Sequence, residues 1–191
     1  MTTASVCVLD DGRHVTIRPI RVQDREPLRA MHRRLSPVTV SRRFFVAYPE
    51  LAARQAEHFV TVDGVDRVAL VAETDEGALV GVARYDRLPG TADAEVALVV
   101  QDDYQHHRVG TSLLHRLGQL AQEGGITRFT ADVLLENSAM FATFRDVGLV
   151  GTADYESGVA HLVLPLAGSG DPGGRGPSAL TAAAGTPQGG D

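Results

Sequence analysis

The segment 105–111, which reads QHHRVGT, carries the residue types and spacing best suited to binding a phosphate. It follows the valine-rich stretch 92–100 and precedes a run whose apolar residues recur at helical spacing. The first turn of a helix presents backbone N–H groups and the positive end of the helix dipole, so this junction suits a phosphate-bearing ligand. The residues expected to contact that ligand are Gln105, His106, His107, Arg108, Val109, Gly110 and Thr111.

The same junction has a structural alternative, because every α/β protein contains strand-to-helix turns and most of them bind nothing. His106 and His107 are adjacent, and neighbouring loop residues seldom chelate one metal ion without a third ligand. We therefore predict no metal site. The single cysteine, Cys7, also excludes an internal disulfide and a cysteine-based zinc site.

The elements that must position this junction alternate between helices and strands. Helical spacing predicts helices at 24–35, 39–45, 49–59, 109–122 and 137–147, with Asp24 as a cap of the first and glycines 125 and 148 ending the last two. Runs of β-branched and aliphatic residues predict strands at 15–19, 67–73, 79–87, 92–100, 126–134, 149–155 and 158–166. Hairpin-like turns between several of these runs indicate antiparallel pairing.

The bulk composition favours one folded domain. The chain has 191 residues, is 43% hydrophobic and carries a formal charge of −6, which disfavours nonspecific binding to nucleic acid phosphates. No window approaches the roughly 18 apolar residues of a membrane span, and the first residues lack the layout of a secretion signal, so we expect a cytoplasmic protein. Residues 168–191 are rich in glycine and proline and are predicted to be a disordered tail after a domain of residues 1–167.

Several strings and the order of elements across residues 15–166 resemble the GNAT family of N-acetyltransferases. The acetyl-CoA motif of that family reads Gln/Arg-x-x-Gly-x-Gly/Ala, and here Gln105, Val109 and Gly110 match while Arg108 stands where the first glycine is expected. The resemblance implies an α/β (α+β) GNAT fold, with a mixed, mostly antiparallel sheet of six to seven strands flanked by four or five helices. It also implies acetyl-CoA as cosubstrate and no metal.

The resemblance extends to the donor's thioester and pantetheine arm. Backbone N–H groups at Leu98, Val99 and Val100 would polarise the thioester carbonyl. The string ENSAMFATFRDVGL at 136–149 looks like a second family signature, in which Asn137 bonds the pantetheine arm. A helix cap is the structural alternative for this asparagine, and both roles can coexist because one amide offers a donor and an acceptor.

The acceptor side shows a further likeness. The stretch LSPVTVSRRFF at 35–45 is similar to one in bacterial protein lysine acetyltransferases that modify acyl-CoA synthetases, which implies a lysine of such a protein as the acceptor. A basic cluster lies around it, and we expect a solvated helix face that could also steer an acidic protein surface: Arg33, Arg34, Arg42 and Arg43. All 18 basic side chains are arginine, so the chain has no lysine of its own to acetylate.

Amine attack on a thioester needs a group that takes the amine proton. Glu95 is the first candidate, because it lies in the strand leading to the donor loop, and burial among its apolar neighbours would raise its pKa towards a useful value. Its position also corresponds to the glutamate proposed as base in the lysine acetyltransferases. Asp132 is the rival, at a position where other amine acetyltransferases of the family place a catalytic glutamate. For each, an outward-facing residue without a role is the structural alternative.

The proton donor to the departing thiolate is left open. Many family members place a tyrosine seven residues after the signature asparagine, and Phe144 occupies that position here. Water or Tyr155 would have to serve, or the thiolate would leave unprotonated.

Three functions therefore compete. The first is a protein lysine N-acetyltransferase that uses acetyl-CoA. The second is an acetyltransferase for small amines, amino acids or aminoglycosides with the same donor site. The third is a noncatalytic sensor or interaction module that binds acyl-CoA, which Arg108 and Phe144 would suit.

Overall fold

The computed structural model describes residues 4–47 and 50–166, which fold around one eight-stranded sheet. The strands are β1 (Ser5–Val8), β2 (His14–Pro19), β3 (Arg67–Thr74), β4 (Leu79–Arg87), β5 (Asp93–Val100), β6 (Arg128–Leu134), β7 (Thr152–Glu156) and β8 (Val159–Pro165). Their order across the sheet is β1-β2-β3-β4-β5-β6-β8-β7. The mixed, mostly antiparallel sheet is confirmed, but the expected count of six to seven strands is wrong.

Five helices flank this sheet in the part of the chain that the structure describes. They are α1 (Arg25–Arg33), α2 (Pro37–Phe44), α3 (Ala53–Val60), α4 (Val109–Glu123) and α5 (Ser138–Asp146). Ser36 caps α2 by accepting a hydrogen bond from the Thr39 amide, and Pro37 occupies the first helical position, where its missing N–H costs nothing. No helix in residues 4–47 or 50–166 is long and apolar enough to cross a membrane.

Two local predictions fail for tertiary reasons. Strand β1 was not predicted, because its four residues lie at the sheet edge and are mostly exposed, which leaves no core-facing alternation in the sequence.

Asp24 does not cap α1 with its side chain. Instead its buried carboxylate accepts hydrogen bonds from Arg18 at 2.7 and 2.8 Å and from the Arg21 amide at 2.7 Å. A buried charge needs such a partner, so the ion pair prevails over the cap.

Two parts of the predictions reach beyond the described residues. The helix predicted from Pro49 is observed only from residue 53, and Pro49 itself lies outside the described part of the chain. The tail predicted at 168–191 lies outside it as well, so the domain boundary at residue 167 stays a prediction.

The core is divided between the two faces of the sheet. Helices α4 and α5 pack on one face, where Leu113, Phe129 and Phe144 are almost fully buried. On the other face α1 and α3 cover residues of β3 and β4, and Met31 and Val60 are buried there. Because neighbouring strand residues point to opposite faces, this packing decides which side chains of β5 meet which helices.

The sheet opens beside β5. This strand pairs with β4 along its length as far as Val100, but its parallel pairing with β6 covers only Asp93–Glu95 against Arg128–Thr130. Beyond Glu95 the two strands separate, and backbone groups of β5 that face β6 are left without a strand partner in this part of the described sheet. The opening lies beside the amino terminus of α4.

Candidate active site

A cavity of about 570 Å³ occupies the opening between β5 and β6, and we call it the slot. Its walls come from α2 on one face of the sheet, from the end of β5, and, on the other face, from the amino terminus of α4 and one side of α5 along its length. The slot therefore connects the two faces. It brings together most of the residues expected to bind the donor, which are Leu98, Val99, Val100, Gln105, His106, Arg108, Gly110, Thr111 and Asn137.

Two expected donor-binding residues do not line the slot. The Val109 side chain is completely buried in the core, so only its backbone can face a ligand. His107 points towards the β1–β2 turn, where its Nε2 lies 3.9 Å from a carboxylate oxygen of Asp11. Sequence spacing could not separate these residues from their neighbours, because side-chain direction along an irregular loop is set by packing.

The amino terminus of α4 has the properties needed to hold a phosphate group. Its first intrahelical bond is donated by the Ser112 amide to the Arg108 carbonyl at 2.9 Å, so the preceding N–H groups of the first turn have no intrahelical acceptor. At Gly110 an added Cβ would lie 3.3 Å from Leu98 Cδ2 and 3.6 Å from Val100 Cγ2. The glycine thus keeps a narrow space open between the helix and β5.

Arg108 adopts the backbone conformation that suits glycine. Its φ is 66° and its ψ is 2°, in the left-handed region that costs a non-glycine residue about 1–2 kcal/mol. The side chain is 75% exposed and lies 3.6 Å from Asp10 across the loop. Arg108 therefore has the backbone conformation expected of the motif's glycine, and its guanidinium is exposed to solvent at the rim of the slot.

Gln105 closes the loop that leads into α4. Its side-chain amide donates to the Val100 carbonyl at 3.0 Å and to the Thr39 hydroxyl at 3.1 Å. These bonds join the end of β5 to α2. Gln105 therefore fixes the shape of the slot, in addition to lining it.

Asp102 reinforces the same link from the other side of the loop. Its carboxylate accepts hydrogen bonds from the Ser36 amide at 2.9 Å, the Ser36 hydroxyl at 2.6 Å and the Thr39 hydroxyl at 2.8 Å. Burial opposes ionisation of Asp102, but the hydrogen bonds from Ser36 and Thr39 outweigh it and lower the pKa of the carboxyl. Sequence reasoning missed this residue, because its partners lie more than 60 positions earlier.

Asn137 performs the capping role that the sequence allowed. Its side-chain oxygen accepts a hydrogen bond from the Met140 amide at 3.3 Å, at the start of α5. The side-chain NH₂ is a separate donor on a residue that lines the slot. Capping and ligand binding are thus compatible in this geometry.

Glu95 lies on the α1–α3 face of the sheet, and its side chain is exposed. The expectation that apolar neighbours would bury it is wrong, because Ala94 and Val96 point to the opposite face. Charged side chains surround it instead. Burial and the charge of Arg84 lower the pKa of Arg43, and the negative charges of Glu95 and Asp86 oppose that shift.

Asp132 lies on the same face as Glu95. It is two residues beyond Thr130, which pairs with Glu95 across β5 and β6, and it also is exposed. Its Oδ1 is 2.7 Å from Nδ1 of His161 on β8. With the proton on Nδ1, this histidine donates to Asp132 and presents Nε2 as a base. Neither Glu95 nor Asp132 lines the slot itself.

His161 was not a candidate in the sequence. It is 29 positions from Asp132, and only the antiparallel pairing of β6 with β8 makes the two residues neighbours. A lone histidine in a strand gives no signal of such a partner.

The sequence predicted that the acceptor-side arginines form one solvated helix face, but in the structure they do not. Arg34 donates to the Gln101 side chain at 2.9 Å and to the Leu79 carbonyl at 2.7 Å. Arg42 and Arg43 turn towards the slot, and the buried Nε of Arg42 has no hydrogen-bond acceptor among the described residues. An unsatisfied buried donor in a cavity wall suits a ligand that carries acceptor oxygens.

Phe144 cannot supply a proton, because its ring carries no ionisable group, and its side chain on α5 is buried in the core at 2% exposure. Tyr155, the alternative donor, is 59% exposed on β7. No group of three or more histidine, cysteine or acidic residues in the described ranges could hold a metal ion.

Comparisons with known proteins converge on one family. A family model described as the acetyltransferase (GNAT) family matches residues 29–149. An acetyltransferase of Pseudomonas aeruginosa is 34% identical over 149 residues, which cover 76% of this chain and 80% of that protein. The acetyltransferase Pat of Mycolicibacterium smegmatis is 34% identical over 142 residues, which cover 73% of this chain but only 42% of that protein.

A solved structure gives the same result. The GNAT domain of S. lividans PAT is 36% identical in sequence, with a TM-score of 0.80 over 85% of this chain and 97% of that one.

Proposed function

Because the chain belongs to the GNAT family and is an acetyl-CoA-dependent acetyltransferase, we propose that it transfers the acetyl group to the side-chain amine of a lysine in a protein, such as an acyl-CoA synthetase. The observation that carries this proposal is the open sheet face on which Glu95 and Asp132 lie, outside the lining of the slot. There Asp132 is 59% exposed and its neighbour His161 is 45% exposed. A lysine on a folded protein can reach such a surface, whereas a site for a small amine is usually concave and buries most of its ligand.

The α2 segment supports the same acceptor. It contains the stretch that resembles protein lysine acetyltransferases, and its Thr39, Arg42 and Arg43 line the slot. Hydrogen bonds from Ser36 and Thr39 to Asp102 hold α2 against the donor loop. The segment that resembles acceptor-binding sequences therefore lies directly beside the proposed position of the thioester.

The donor would be held by the residues that line the slot. Backbone N–H groups at the start of α4 face the diphosphate, and the Asn137 amide faces the pantetheine arm. Of the backbone N–H groups at Leu98, Val99 and Val100, those of Leu98 and Val100 point away from β4 towards the opening, because the Gln101 amide donates to Val80 on β4 and strand N–H directions alternate. These two groups would stabilise negative charge on the thioester carbonyl oxygen. These groups are fixed by the fold, so little reorganisation accompanies the reaction.

The transfer follows a direct path. The lysine nitrogen attacks the thioester carbonyl carbon, a C–N bond forms, and the C–S bond breaks to release coenzyme A as the thiolate. The proton that leaves the amine passes to Glu95, directly or through one water molecule. Lysine, with a pKa near 10.4, is mostly protonated at neutral pH, so the ammonium first loses one proton to solvent, and the neutral amine that results is the nucleophile.

The test uses the full chain, acetyl-CoA and a purified acyl-CoA synthetase. Acetyl-lysine is detected by mass spectrometry, and since this chain has no lysine, every acetylated side-chain amine belongs to the acceptor. We expect acetyl-lysine at defined positions, with release of coenzyme A, and loss of both with Glu95→Gln. A reaction without enzyme corrects for spontaneous acetylation.

Two results would overturn the proposal. Release of coenzyme A with spermidine or an aminoglycoside, but no acetyl-lysine on any protein, would indicate a small-molecule acetyltransferase. Binding of acetyl-CoA without turnover of any acceptor would indicate a noncatalytic binding module.

A further inference from the structure

The turn between β1 and β2, residues 9–13, packs against the donor loop, residues 101–108, which leads from β5 into α4. The Arg13 guanidinium donates a hydrogen bond to the Asp103 carbonyl at 2.9 Å, across 90 positions of sequence. It also lies 4.1 Å from the centre of the Tyr104 ring, within the range of a cation–π contact. Arg13 therefore holds two consecutive residues of the donor loop.

Hydrogen bonds within the turn orient Arg13. The Leu9 amide donates to the Arg13 carbonyl at 2.8 Å, and Gly12 takes the positive φ of 84° that the turn requires. The Asp11 carboxylate accepts from the Arg13 amide at 3.0 Å and from the Arg13 Nε at 2.7 Å. The side-chain and backbone hydrogen bonds from Arg13 lower the pKa of Asp11 to about 2, so this carboxylate stays charged at neutral pH. The guanidinium is thus fixed in direction before a donor binds.

Two further charged pairs span the same gap but are weaker. His107 Nε2 lies 3.9 Å from Asp11, and Arg108 Nε lies 3.6 Å from Asp10, where both side chains are more than half exposed. Exposed ion pairs at such distances contribute little to stability. The contact between the turn and the donor loop therefore depends mainly on Arg13.

The donor loop needs such contacts because its own backbone is strained. His106 and Arg108 have φ values of 64° and 66°, in the left-handed region that favours glycine. Residues keep this conformation only where their surroundings enforce it. Asp102 and Gln105 hold the loop from the side of α2, and Arg13 holds it from the β1–β2 turn. Without Arg13 the free loop would populate other conformations.

We propose that Arg13 is a positioning residue for the donor, because it keeps the donor loop, and with it the first turn of α4, in the conformation that binds the diphosphate. This inference rests on the donor site proposed above. Arg13 does not line the slot, so it acts through Asp103 and Tyr104. When only a fraction of the free protein has the binding conformation, the affinity for the ligand falls by that fraction.

The test measures binding of acetyl-CoA to the full chain by calorimetry without any acceptor. Arg13→Gln removes the charged hydrogen bond and the cation–π contact and should weaken binding about tenfold, with the number of sites per chain unchanged. A variant that merely unfolds would lose sites rather than affinity. Arg13→Lys keeps a cation near Tyr104 but not the fork that joins Asp11 to Asp103, and it should recover part of the affinity.

Arg25→Gln is the matched control. It removes an exposed arginine of α1 whose guanidinium lies 3.1 Å from Glu57 and which does not line the slot. Its affinity for acetyl-CoA should stay within about twofold of the wild-type value, because surface substitutions of this kind usually have small effects.

Hydrogen exchange followed by mass spectrometry separates positioning from direct binding. In the free protein, Arg13→Gln should speed amide exchange at residues 102–108, because the loop opens more often. Saturating coenzyme A should restore the protection seen in the wild type.

Three results would each overturn the inference. They are an affinity of Arg13→Gln within about twofold of wild type, an equal loss in Arg25→Gln, and a loss in Arg13→Gln without faster exchange in the donor loop, which would make Arg13 a direct ligand. Failure of coenzyme A to bind the wild type would overturn the donor site and this inference together. Intact donor binding without acetyl-lysine on any protein would overturn only the proposed acceptor.

Discussion

The two sides of the slot are built in different ways. On the side of α4 and α5, the lining consists of the uncapped first turn of α4 with Gly110 and of α5, whose amino terminus Asn137 caps, and Val109 and Phe144 anchor these helices in the core. On the acceptor side, exposed charged side chains such as Glu95 and Asp132 stand on the open sheet face. In the proposed function, donor binding would rest mainly on backbone groups, whereas reactivity towards the acceptor would depend on individual side chains.

Replacement of Glu95, the proposed base, should impair the acceptor side alone and gives the largest expected effect. Glu95→Gln removes the proton acceptor and should lower kcat by about 10²–10⁴-fold, because general base catalysis contributes about that much. The affinity for acetyl-CoA should remain within about twofold, since donor binding uses other groups. Steady-state kinetics and calorimetry measure the two effects.

His161→Gln is the matched comparison for Glu95. It removes the imidazole that contacts Asp132, and we expect a smaller loss of kcat than in Glu95→Gln. A larger loss of kcat in His161→Gln than in Glu95→Gln would make the Asp132–His161 pair the base instead.

A larger side chain at Gly110 should close the space between α4 and β5 and weaken donor binding without altering the acceptor side. Gly110→Val places carbon atoms against Leu98 and Val100, and displacement of the donor by about 1 Å should reduce kcat/KM by about 100-fold. Calorimetry with coenzyme A should show weaker binding. Gly118→Val is the control on the same helix, because the nearest atom to an added Cβ there is 3.8 Å away. Equal losses in both variants would contradict a specific role for Gly110.

The hydrogen bonds of Asp102 join the donor loop to α2, so their removal measures how much this link contributes to stability. Asp102→Asn weakens the bonds to Ser36 and Thr39 and should cost about 1 kcal/mol, which corresponds to about 2–4 °C in Tm. Asp103→Asn, at the exposed neighbouring position, should leave Tm within about 1 °C. Differential scanning calorimetry at pH 7 provides the measurement.

The same pair of variants predicts a pH dependence. The folded-state pKa of Asp102 is lowered, so its stabilisation is complete above the unfolded value near 3.9 and is lost as the pH falls through the folded-state value. The stability difference between wild type and Asp102→Asn should therefore shrink below about pH 4. A difference that grows on acidification would contradict the direction of the shift.

Relief of backbone strain at the donor loop gives the smallest effect. Glycine adopts positive φ without the cost that arginine carries, but it also increases the conformational entropy of the unfolded chain, which opposes folding. Arg108→Gly should therefore raise the free energy of unfolding by up to about 1 kcal/mol. Arg108→Ala keeps the strain and should give no such gain. Donor affinity should change little in either variant, as the side chain is exposed. A large loss of affinity in both would show instead that the guanidinium binds the donor.

Local sequence patterns predicted the five α-helices and most of the strands of residues 4–47 and 50–166. Apolar spacing located α4, and α2 was predicted from residue 39, two residues after its observed start at Pro37. The errors have a shared cause. Strand β1, the ion pair of Asp24 and the exposure of Glu95 all depend on what packs against a residue from distant parts of the chain, which spacing along the chain does not contain.

The sequence by itself determined the order of elements from β2 to β8, the strand-to-helix junction between β5 and α4, and the absence of lysine. Tertiary structure alone decided where β5 leaves β6, how Gln105 and Asp102 join the donor loop to α2, and that His161 lies beside Asp132. The physical reason is that helical periodicity and capping act over a few residues, whereas strand pairing and burial join residues that lie tens of positions apart.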